Sequence, residues 1–283
     1  MWMIKMKIVL IILIVIILLI CGLYVFMAKT NKRRDHSKFT GKSFAHRGLH
    51  GDGIPENSLA AFKRAREAGY GVELDVQYTK DGKIVVFHDK SLKRMCGVDK
   101  DLQEFTFEEL QEFSLKDSDE KIPLFEDVLR TIVNIPLVCE IKNHNGNRND
   151  RLCSETYEYL STYQGDYCIE SFSPFLVQWF KNNHPEVIRG QLSCNMSAEA
   201  SLSAPARFLM TNLLGNMFSR PDFIAYRHQD MSGAGFCLCK NLFHPLIIAW
   251  TARGDEEIRS AWTKADSVIF EKYAATGPDP DKL

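Results

Sequence analysis

The start of the chain and the remainder differ sharply in their pattern of apolar and polar positions. No charged residue occurs from Ile8 to Ala28, and every residue from Ile8 to Ile20 is Ile, Leu or Val. A helix of about 20 residues, rising about 1.5 Å per residue, crosses a hydrocarbon core of about 30 Å. The run therefore predicts an N-terminal transmembrane anchor within residues 1–28.

A cleaved signal peptide and a buried core helix are the alternatives for this apolar run. The apolar core of a secretory signal is usually about 7–15 residues long and is followed by a small-x-small cleavage site. Here the run is longer and leaves through Phe26-Met27-Ala28-Lys29. An uncleaved single-pass membrane anchor is the favoured interpretation.

Basic residues are more frequent after the apolar run than before it. Lys5 and Lys7 precede it, and the residues that follow it include Lys29, Lys32, Arg33, Arg34 and Lys38. Because the cytoplasmic flanks of membrane spans carry an excess of Lys and Arg, we expect the body of the protein on the cytoplasmic side. Residues 29–42 are interpreted as a basic linker, a solvated tether that could also contact anionic lipid headgroups.

Beyond this linker, short runs rich in β-branched residues alternate with helical patterns. The strand candidates are Ser43–Ala45, Val72–Gln77 with Ile84–Phe87, Leu137–Ile141, Tyr167–Ser171, Val187–Leu192, Phe223–Tyr226, Ile247–Thr251 and Ser267–Phe270. Strands that alternate with helices indicate a parallel sheet. If Val72–Gln77 and Ile84–Phe87 share one strand position, the count is close to eight. We therefore predict an α/β fold, a TIM (β/α)₈ barrel over residues 43–283.

Composition and cysteine usage narrow the class of protein. With 45% hydrophobic and 25% charged residues, and a formal net charge of -1, the chain is neither disordered nor a general nucleic-acid binder. Of its 8 cysteines, Cys21 lies in the apolar run, which leaves an odd number for the body. Cys139, Cys168 and Cys194 lie within apolar stretches and are read as buried, reduced thiols rather than a disulfide framework. This usage favours a reducing compartment.

Residues capable of catalysis gather at the ends of the predicted strands. They are His46, Arg47, Glu73, Asp75, His88, Asp89, Glu140 and Lys142. In a parallel barrel the carboxyl ends of all strands meet at one mouth, so these ionisable groups are expected to face a common space.

Three carboxylates predict a metal site. Glu73 and Asp75 are two residues apart and project from the same face of a strand, and Glu140 on the neighbouring strand is the natural third ligand. Like charges this close repel unless a cation lies between them, and hard oxygen ligands favour Mg²⁺ or Ca²⁺ over zinc. The alternative is a structural ion-pair cluster with Lys142 and Arg47.

Two histidines flank these carboxylates. An imidazole titrates near neutral pH, so His46 and His88 can act as general base and general acid. Arg47 and Lys142 add positive charge that can hold a phosphate. A metal, paired histidines and cations together indicate cleavage of a phosphodiester.

A series of short motifs carries a family resemblance from about residue 44 onward. The motifs are His46-Arg47-Gly48, Pro55-Glu56-Asn57-Ser58, Glu73-Leu74-Asp75-Val76, Lys80-Asp81-Gly82, His88-Asp89, Leu92-Lys93-Arg94, Phe105-Thr106-Phe107-Glu108-Glu109-Leu110, Ile122-Pro123-Leu124, Glu140-Ile141-Lys142, Ser171-Phe172 and Trp250-Thr251. In this order they resemble the glycerophosphodiester phosphodiesterase family, more densely in the first half of the body than in the second.

The resemblance implies a TIM barrel with a small insertion at about residues 90–122. It also implies a divalent-metal enzyme that cleaves glycerophosphodiesters to sn-glycerol 3-phosphate and an alcohol. Carried over by position, the implied roles are metal ligation by Glu73, Asp75 and Glu140, acid and base catalysis by His46 and His88, and substrate binding by Arg47, Lys142, Glu56, Asn57 and Trp250.

The chain departs from the family pattern near its end. It reads Trp250-Thr251-Ala252-Arg253 where the family usually has Trp-Thr-Val-Asn, and Ile269-Phe270-Glu271-Lys272-Tyr273 where the family has a strand running into Thr-Asp-x-Pro. Arg253 and Glu271 are new headgroup contacts or, as the favoured reading, solvated loop residues.

An apolar stretch in the second half admits two readings. It comprises Trp179, Phe180, Phe208, Leu209, Met210, Leu213, Leu214, Met217 and Phe218. A core helix is the default interpretation, and the alternative is an apolar rim that admits acyl chains beside the membrane.

Two other functions remain open. A lysophospholipase D-type or other phospholipase activity uses the same barrel, with a lysophospholipid rather than a soluble glycerophosphodiester as substrate. A catalytically silent, membrane-tethered binding module is the alternative from another class. A barrel that becomes catalytically silent usually loses a histidine or a metal ligand first. This chain keeps all of the candidates, which are His46, His88, Glu73, Asp75 and Glu140.

Overall fold

One long N-terminal helix leads into a barrel in the computed structural model, which describes residues 2–31, 35–144 and 149–271. The expectations for Lys32, Arg33 and Arg34 in the linker, and for Lys272 and Tyr273 near the end, lie outside the described residues.

The described residues contain a nine-stranded sheet, eight strands of which close into a parallel barrel. The strands are β1 (Ser43–His46), β2 (Gly71–Tyr78), β3 (Ile84–Val86), β4 (Leu137–Ile141), β5 (Tyr167–Ser171), β6 (Arg189–Ser193), β7 (Phe223–Arg227), β8 (Leu246–Arg253) and β9 (Ser267–Glu271). The barrel order is β1-β2-β4-β5-β6-β7-β8-β9, and β9 pairs in turn with β1. Only β3 is antiparallel among the described strands, and it extends β2 outside the ring. The predicted TIM barrel is confirmed.

Helices alternate with these strands. They are α1 (Trp2–Ala28), α2 (Leu59–Glu67), α3 (Lys93–Cys96), α4 (Phe107–Leu110), α5 (Phe125–Thr131), α6 (Asp150–Ser161), α7 (Pro174–Asn183), α8 (Ala204–Thr211), α9 (Asn216–Ser219), α10 (Ala234–Phe243) and α11 (Gly254–Trp262), with short 3₁₀ turns at Leu102–Glu104 and His228–Asp230. Ser58 caps α2 by accepting a hydrogen bond from the backbone N–H of Ala61. Such side-chain caps satisfy backbone donors that a helix start leaves free.

Apolar side chains close the amino end of the barrel. Phe44 and Phe223 are fully buried there, and Phe39, from the segment between α1 and β1, packs on Phe44 with ring centroids 6.5 Å apart. Phe39 is buried although it belongs to the segment read as a solvated tether. The amino end of the barrel is therefore closed by aromatic rings, and the cavity lined by ionisable side chains lies at the carboxyl ends of its strands.

The segment after β3 has a small core of its own. Its buried apolar residues are Val85, Phe87, Leu92, Met95, Leu102, Leu110, Leu115 and Ile122. Six of these eight residues, from Leu92 to Ile122, lie in the insertion expected at about residues 90–122. The insertion is thus a packed unit that can hold polar side chains in place over the barrel mouth.

Helix α1 is the one described helix long and apolar enough to cross a membrane. None of its most apolar stretch is buried against the protein, and it lies near the N-terminus. These properties fit a membrane anchor or a signal sequence. Only the end of α1 meets the barrel, where Ala28 is fully buried.

Candidate functional site

A polar cavity of about 130 Å³ lies at the carboxyl ends of the barrel strands. Its lining includes His46, Arg47, Glu73, His88, Glu140, Glu170, Phe172, Trp250 and Arg253. A larger cavity of about 630 Å³ lies on the outer surface between α5 and α6, lined in part by Glu126, Arg130 and Glu158. The smaller cavity is the candidate site because, unlike the larger one, it is lined by buried ionisable groups from several strands.

The three predicted metal ligands come together at this mouth. Asp75 pairs in register with Glu140 across β2 and β4, and Glu73 lies two residues earlier on the same face of β2. Their ligand oxygens all lie within 4.8 Å of one another, and all three residues are buried. The geometry is that of a carboxylate group able to hold a metal ion.

Two cations already touch these carboxylates. The Lys142 Nζ atom is 2.7 Å from Asp75 Oδ1 and 2.7 Å from Glu140 Oε2. The backbone N–H of Arg47 donates to Glu73 Oε2 at 3.1 Å, and its guanidinium Nε lies 3.4 Å from Asp75 Oδ2. The ion pairs with Lys142 and Arg47 that the sequence offered as an alternative to metal binding are thus formed around the same carboxylates.

A fourth buried carboxylate belongs to the same mouth and was missed by the sequence reasoning. Glu170 pairs in register with Glu140 across β4 and β5, and it is 1% exposed. Its Oε2 atom has no hydrogen-bond partner among the described residues. An acidic residue inside the predicted strand Tyr167–Ser171 was the available signal, since buried strands rarely carry unpaired charge.

The charges of this cluster do not balance without protons or a cation. Burial and the neighbouring carboxylates raise the pKa of Glu73 well above its usual value, and burial with Glu140 does the same for Glu170. Burial also acts on Asp75, but Lys142 and the other nearby cations hold its pKa well below the usual range. A hard divalent cation fits the surplus of oxygen ligands and negative charge.

His46 is held by a carboxylate that the sequence reading placed in solvent. The His46 Nδ1 atom bonds the Glu271 carboxylate, whose other oxygen accepts from Arg253 Nε at 2.8 Å. The Glu271 side chain is only 10% exposed, so the favoured expectation of a solvated loop residue is wrong for it. The pairing arises because β9 and β1 are neighbours in the barrel although their residues are far apart in sequence.

The environment of His46 favours a neutral ring. Burial lowers the pKa of His46 to about 4, against the opposing effect of Glu271. With its Nδ1–H donated to Glu271, the ring presents the Nε2 lone pair to the cavity, 3.8 Å from Glu73 Oε2. This is the arrangement of a proton acceptor.

His88 is oriented through the insertion. Its Nδ1 atom is 2.7 Å from Asp89 Oδ1, and Arg94 Nε donates to the other oxygen of Asp89 at 2.6 Å. Arg94 also donates two hydrogen bonds to Glu56, which in turn accepts from Arg47 Nη1 at 2.6 Å. Burial acts against it, yet these two arginines lower the pKa of Glu56 to about 2. Glu56 thus joins both histidine loops rather than lining the cavity.

The other two predicted residues have different surroundings at the mouth. Asn57 has a left-handed backbone (φ 54°) and its Nδ2 donates to Asp75 Oδ2 at 2.9 Å, so it positions a metal-ligand candidate. Trp250 packs edge-on against Phe172 with ring centroids 5.6 Å apart and forms an apolar wall of the cavity. The structure therefore brings all ten predicted site residues to one mouth, either in its lining or directly behind it.

The closed parallel barrel with a carboxylate cluster at its carboxyl end defines a TIM-barrel protein with a potential cation site. The sequence profile described as the glycerophosphoryl diester phosphodiesterase family matches residues 46–214. This chain belongs to that family.

Individual relatives agree with this membership. A glycerophosphodiester phosphodiesterase of Caldanaerobacter subterraneus subsp. tengcongensis is 35% identical over 161 residues, which are 52% of this chain and 65% of that protein. A human lysophospholipase D is 32% identical over 126 residues, 40% of each chain. The chain therefore matches less than two thirds of the length of either relative.

A solved structure resembles the whole barrel. The phosphodiesterase of Oleispira antarctica, in complex with the product sn-glycerol-3-phosphate, superposes with a TM-score of 0.67 at 22% identity. The match covers 82% of this chain and 93% of that chain. At this identity the likeness shows the fold.

We predict that cation binding releases protons and strengthens as pH rises. Glu73 has a pKa raised above its usual 4.5, so the cation-free protein holds a proton there that a bound cation would displace. The affinity for Mg²⁺ or Ca²⁺ should therefore increase with pH until the raised pKa is reached. Isothermal titration calorimetry in buffers of different ionisation enthalpy measures both quantities.

The matched control for this titration is a carboxylate outside the site. Glu73→Gln should reduce the proton release and weaken binding, whereas Glu126→Gln, which alters a surface pair with Arg130, should change neither. Cation binding that is equally strong across the pH range would contradict the assignment.

We further predict that Glu271 fixes the tautomer of His46. Glu271→Ala removes the acceptor of the Nδ1–H, so the ring should lose its preference for that tautomer. Nitrogen-15 NMR of the imidazole reports the proton position. The matched control is Glu186→Ala, which removes a similar contact at His184 outside the mouth and should leave the His46 signals unchanged.

Proposed function

We propose that this protein hydrolyses glycerophosphodiesters, the deacylated forms of phospholipids, to sn-glycerol 3-phosphate and an alcohol. The observation that carries the proposal is a buried carboxylate cluster, Glu73, Asp75 and Glu140, at a mouth lined by two separately oriented histidines. The family membership supports it, as does the product bound to the Oleispira antarctica phosphodiesterase.

In this proposal Glu73, Asp75 and Glu140 hold a divalent cation, Mg²⁺ or Ca²⁺. The cation, when bound, would neutralise negative charge that develops on the phosphoryl oxygens. Arg47 and Lys142, which lie directly against the carboxylates, add positive charge beside the phosphate.

The two histidines carry the protons. His46, neutral and free at Nε2, accepts the proton of the attacking group, a substrate hydroxyl or water, as the oxygen of that group forms a bond to phosphorus. Attack by water gives glycerol 3-phosphate directly, whereas attack by a glycerol hydroxyl gives a cyclic phosphate that water opens in a second step. His88, held through Nδ1 by Asp89, donates a proton to the leaving alcohol oxygen as the bond between that oxygen and phosphorus breaks. Separate carboxylate partners keep the two rings available for these opposite roles.

Substrate binding is assigned to groups around these rings. Trp250 with Phe172 offers an apolar surface for the carbon skeleton of the substrate. Glu56 and Asn57 act by holding Arg47 and Asp75 in place.

The proposal divides the chain into three parts. They are a membrane anchor (residues 1–28), a linker (29–42) and a catalytic domain (43–283).

A lysophospholipase D-type activity is the second candidate. It is favoured by the similarity to the human lysophospholipase D and by the apolar helix α1, which would bring the barrel beside lipid. A catalytically silent membrane-tethered module is disfavoured, because the residues needed for acid, base and cation binding are present and gathered in one mouth.

We expect His88→Asn to lower the rate of glycerol 3-phosphate release from glycerophosphocholine by about 10²–10⁴-fold, since a general acid contributes on that order. Release is measured with the full chain in detergent, after chelation and after Mg²⁺ or Ca²⁺ is restored. His244→Asn, which changes an exposed histidine at the far end of α10, is the matched control and should keep its activity.

Three outcomes distinguish the candidates. Cation-restored release that depends on His88 supports the glycerophosphodiesterase. Hydrolysis of lysophosphatidylcholine alone supports the lysophospholipase D, and silence of a folded, cation-binding chain on both substrates supports the binding module.

The same proposal includes a position in the cell. We infer a single-pass anchor with the catalytic domain on the cytoplasmic side, from the excess of Lys and Arg after the apolar run. A fluorescent protein that folds only in the cytoplasm, fused to the C-terminus, should be bright, and an alkaline phosphatase fused there should be inactive. The reverse result would place the domain outside.

A further inference from the structure

We propose that the barrel mouth faces the membrane, seated there by an apolar rim beside the emerging α1 helix. The rim consists of Phe175, Phe208, Leu209 and Phe218. The inference rests on the proposed anchoring by α1 and adds to it an orientation, and so a lipid surface as the environment from which substrate enters.

The direction of α1 follows from three contacts at its end. The Tyr24 hydroxyl donates to Asn212 Oδ1 at 2.9 Å, and the Ala28 carbonyl accepts from Asn216 Nδ2 at 3.0 Å. Further along, the backbone N–H of Asn31 donates to the Pro221 carbonyl at 2.8 Å. These contacts give a path along the side of the barrel.

The first and last of these contacts lie at opposite ends of the barrel. Pro221 comes just before β7 and so lies at the amino end of that strand. Asn212 abuts the first turn of α10, where a Cβ on Gly235 would lie 2.6 Å from its Cα atom. Because α10 follows the carboxyl end of β7, Asn212 lies on the mouth side. The chain from Tyr24 to Asn31 thus runs away from the mouth.

The rest of α1 must then project on the mouth side. Residues Trp2 to Leu23 precede Tyr24 on the same continuous helix, which extends at about 1.5 Å per residue. The apolar stretch that would enter the bilayer therefore lies beyond the carboxyl ends of the strands, where the catalytic cavity opens.

Arg220 stiffens this joint. Its guanidinium donates to the carbonyls of Phe26 and Lys29 at 2.7 and 3.0 Å and lies 4.5 Å from the centre of the Phe26 ring. A cation at a helix C-terminus satisfies carbonyls that the helix leaves free and favours the negative end of its dipole. The anchor is consequently held at a defined direction relative to the barrel.

The rim lies on the same side as the projecting helix. On α8, Phe208 is 57% and Leu209 39% exposed, and α8 is tied to the end of β6 by a 2.7 Å hydrogen bond from the Ser193 hydroxyl to the Met210 carbonyl. Phe175, in the first turn of α7 and 45% exposed, pairs with Phe218 at a ring distance of 5.4 Å. Exposed aromatic side chains grouped around a membrane helix suit the bilayer interface.

The sequence pattern gave this surface only in part. Part of the same apolar stretch is buried, as the interpretation as a core helix predicts. The buried residues are Trp179, Phe180, Leu213 and Leu214. The exposed members are those that the structure places at the rim.

Charge around the rim fits a lipid surface. The helices α7, α8 and α9 contain no acidic residue, and their charged side chains are Lys181 and Arg207. Arg207 adjoins Phe208 and Leu209 on α8, and its guanidinium donates to the Glu199 carbonyl in the preceding loop. A basic side chain beside exposed apolar ones suits anionic headgroups above acyl chains. A lipid bilayer is therefore the occupant to which the rim is assigned.

Photo-crosslinking of the full chain tests the orientation. The protein is reconstituted in vesicles of phosphatidylcholine and phosphatidylglycerol that contain radiolabelled lipid, with p-benzoylphenylalanine in place of Phe208. The matched control carries it in place of Leu242, which is similarly exposed (47%) but lies at the last turn of α10, towards the opposite end of the barrel. We expect about tenfold more labelled lipid on the Phe208 site, because an interfacial side chain is in constant contact with lipid.

Replacement of Phe175 in the same way guards against a local effect at Phe208 and should give the same excess over the control. Equal labelling at Phe208 and Leu242, or more at Leu242, overturns the proposal, as does a chain that does not float with the vesicles. Hydrolysis of soluble glycerophosphocholine by the same samples is scored separately. Lipid labelling without hydrolysis refutes the catalytic proposal alone, and hydrolysis without rim labelling refutes the orientation alone.

Discussion

The structure depends on the convergence of parallel strand ends, which forces acidic side chains from three strands into one buried space. Glu73 and Asp75 from β2 meet Glu140 from β4 and Glu170 from β5 because these strands are neighbours in register. Leaving such charges uncompensated costs several kcal/mol per ion in a protein interior. Lys142 and Arg47 offset part of that cost, and the negative charge that remains makes the mouth able to hold a cation.

The loops around this space are tied to one another rather than to the barrel alone. Arg94, carried by the packed insertion, holds both Asp89 and Glu56, and Glu56 holds Arg47. A change in the insertion would therefore alter the positions of His88 and Arg47 together. On the opposite side His46 depends on Glu271, so each histidine is oriented by a separate part of the chain. The two rings are consequently positioned independently of each other.

Local patterns in the sequence were enough for the strands, the barrel and the gathering of the histidines, carboxylates and cations at one mouth, because alternation and strand-end position are properties of short segments. The family resemblance added Glu56, Asn57 and Trp250 to these candidates. What they could not reveal was pairing between distant segments. Glu271 looked like a solvated loop residue, since only closure of β9 onto β1 brings it to His46. Arg253 is half exposed, as that reading expects, although it donates to Glu271 from the neighbouring β8. Glu170 was overlooked for a similar reason, as its meaning comes from its partner Glu140 on the next strand. The apolar stretch around α8 separated into core and surface only once neighbouring helices were in place.

The position of Phe39 has a practical consequence for anyone who wishes to work without the apolar helix. This ring closes the amino end of the barrel, yet it comes before the first strand, in the stretch that joins helix and barrel. A truncated protein that starts at Ser43, where β1 begins, would lack Phe39. The amino end of the barrel would then be open, and Phe44 and Phe223 would be exposed to water. A version without the apolar helix is better started at Asp35, because it then keeps the turn at residues 37–40 that contains Phe39.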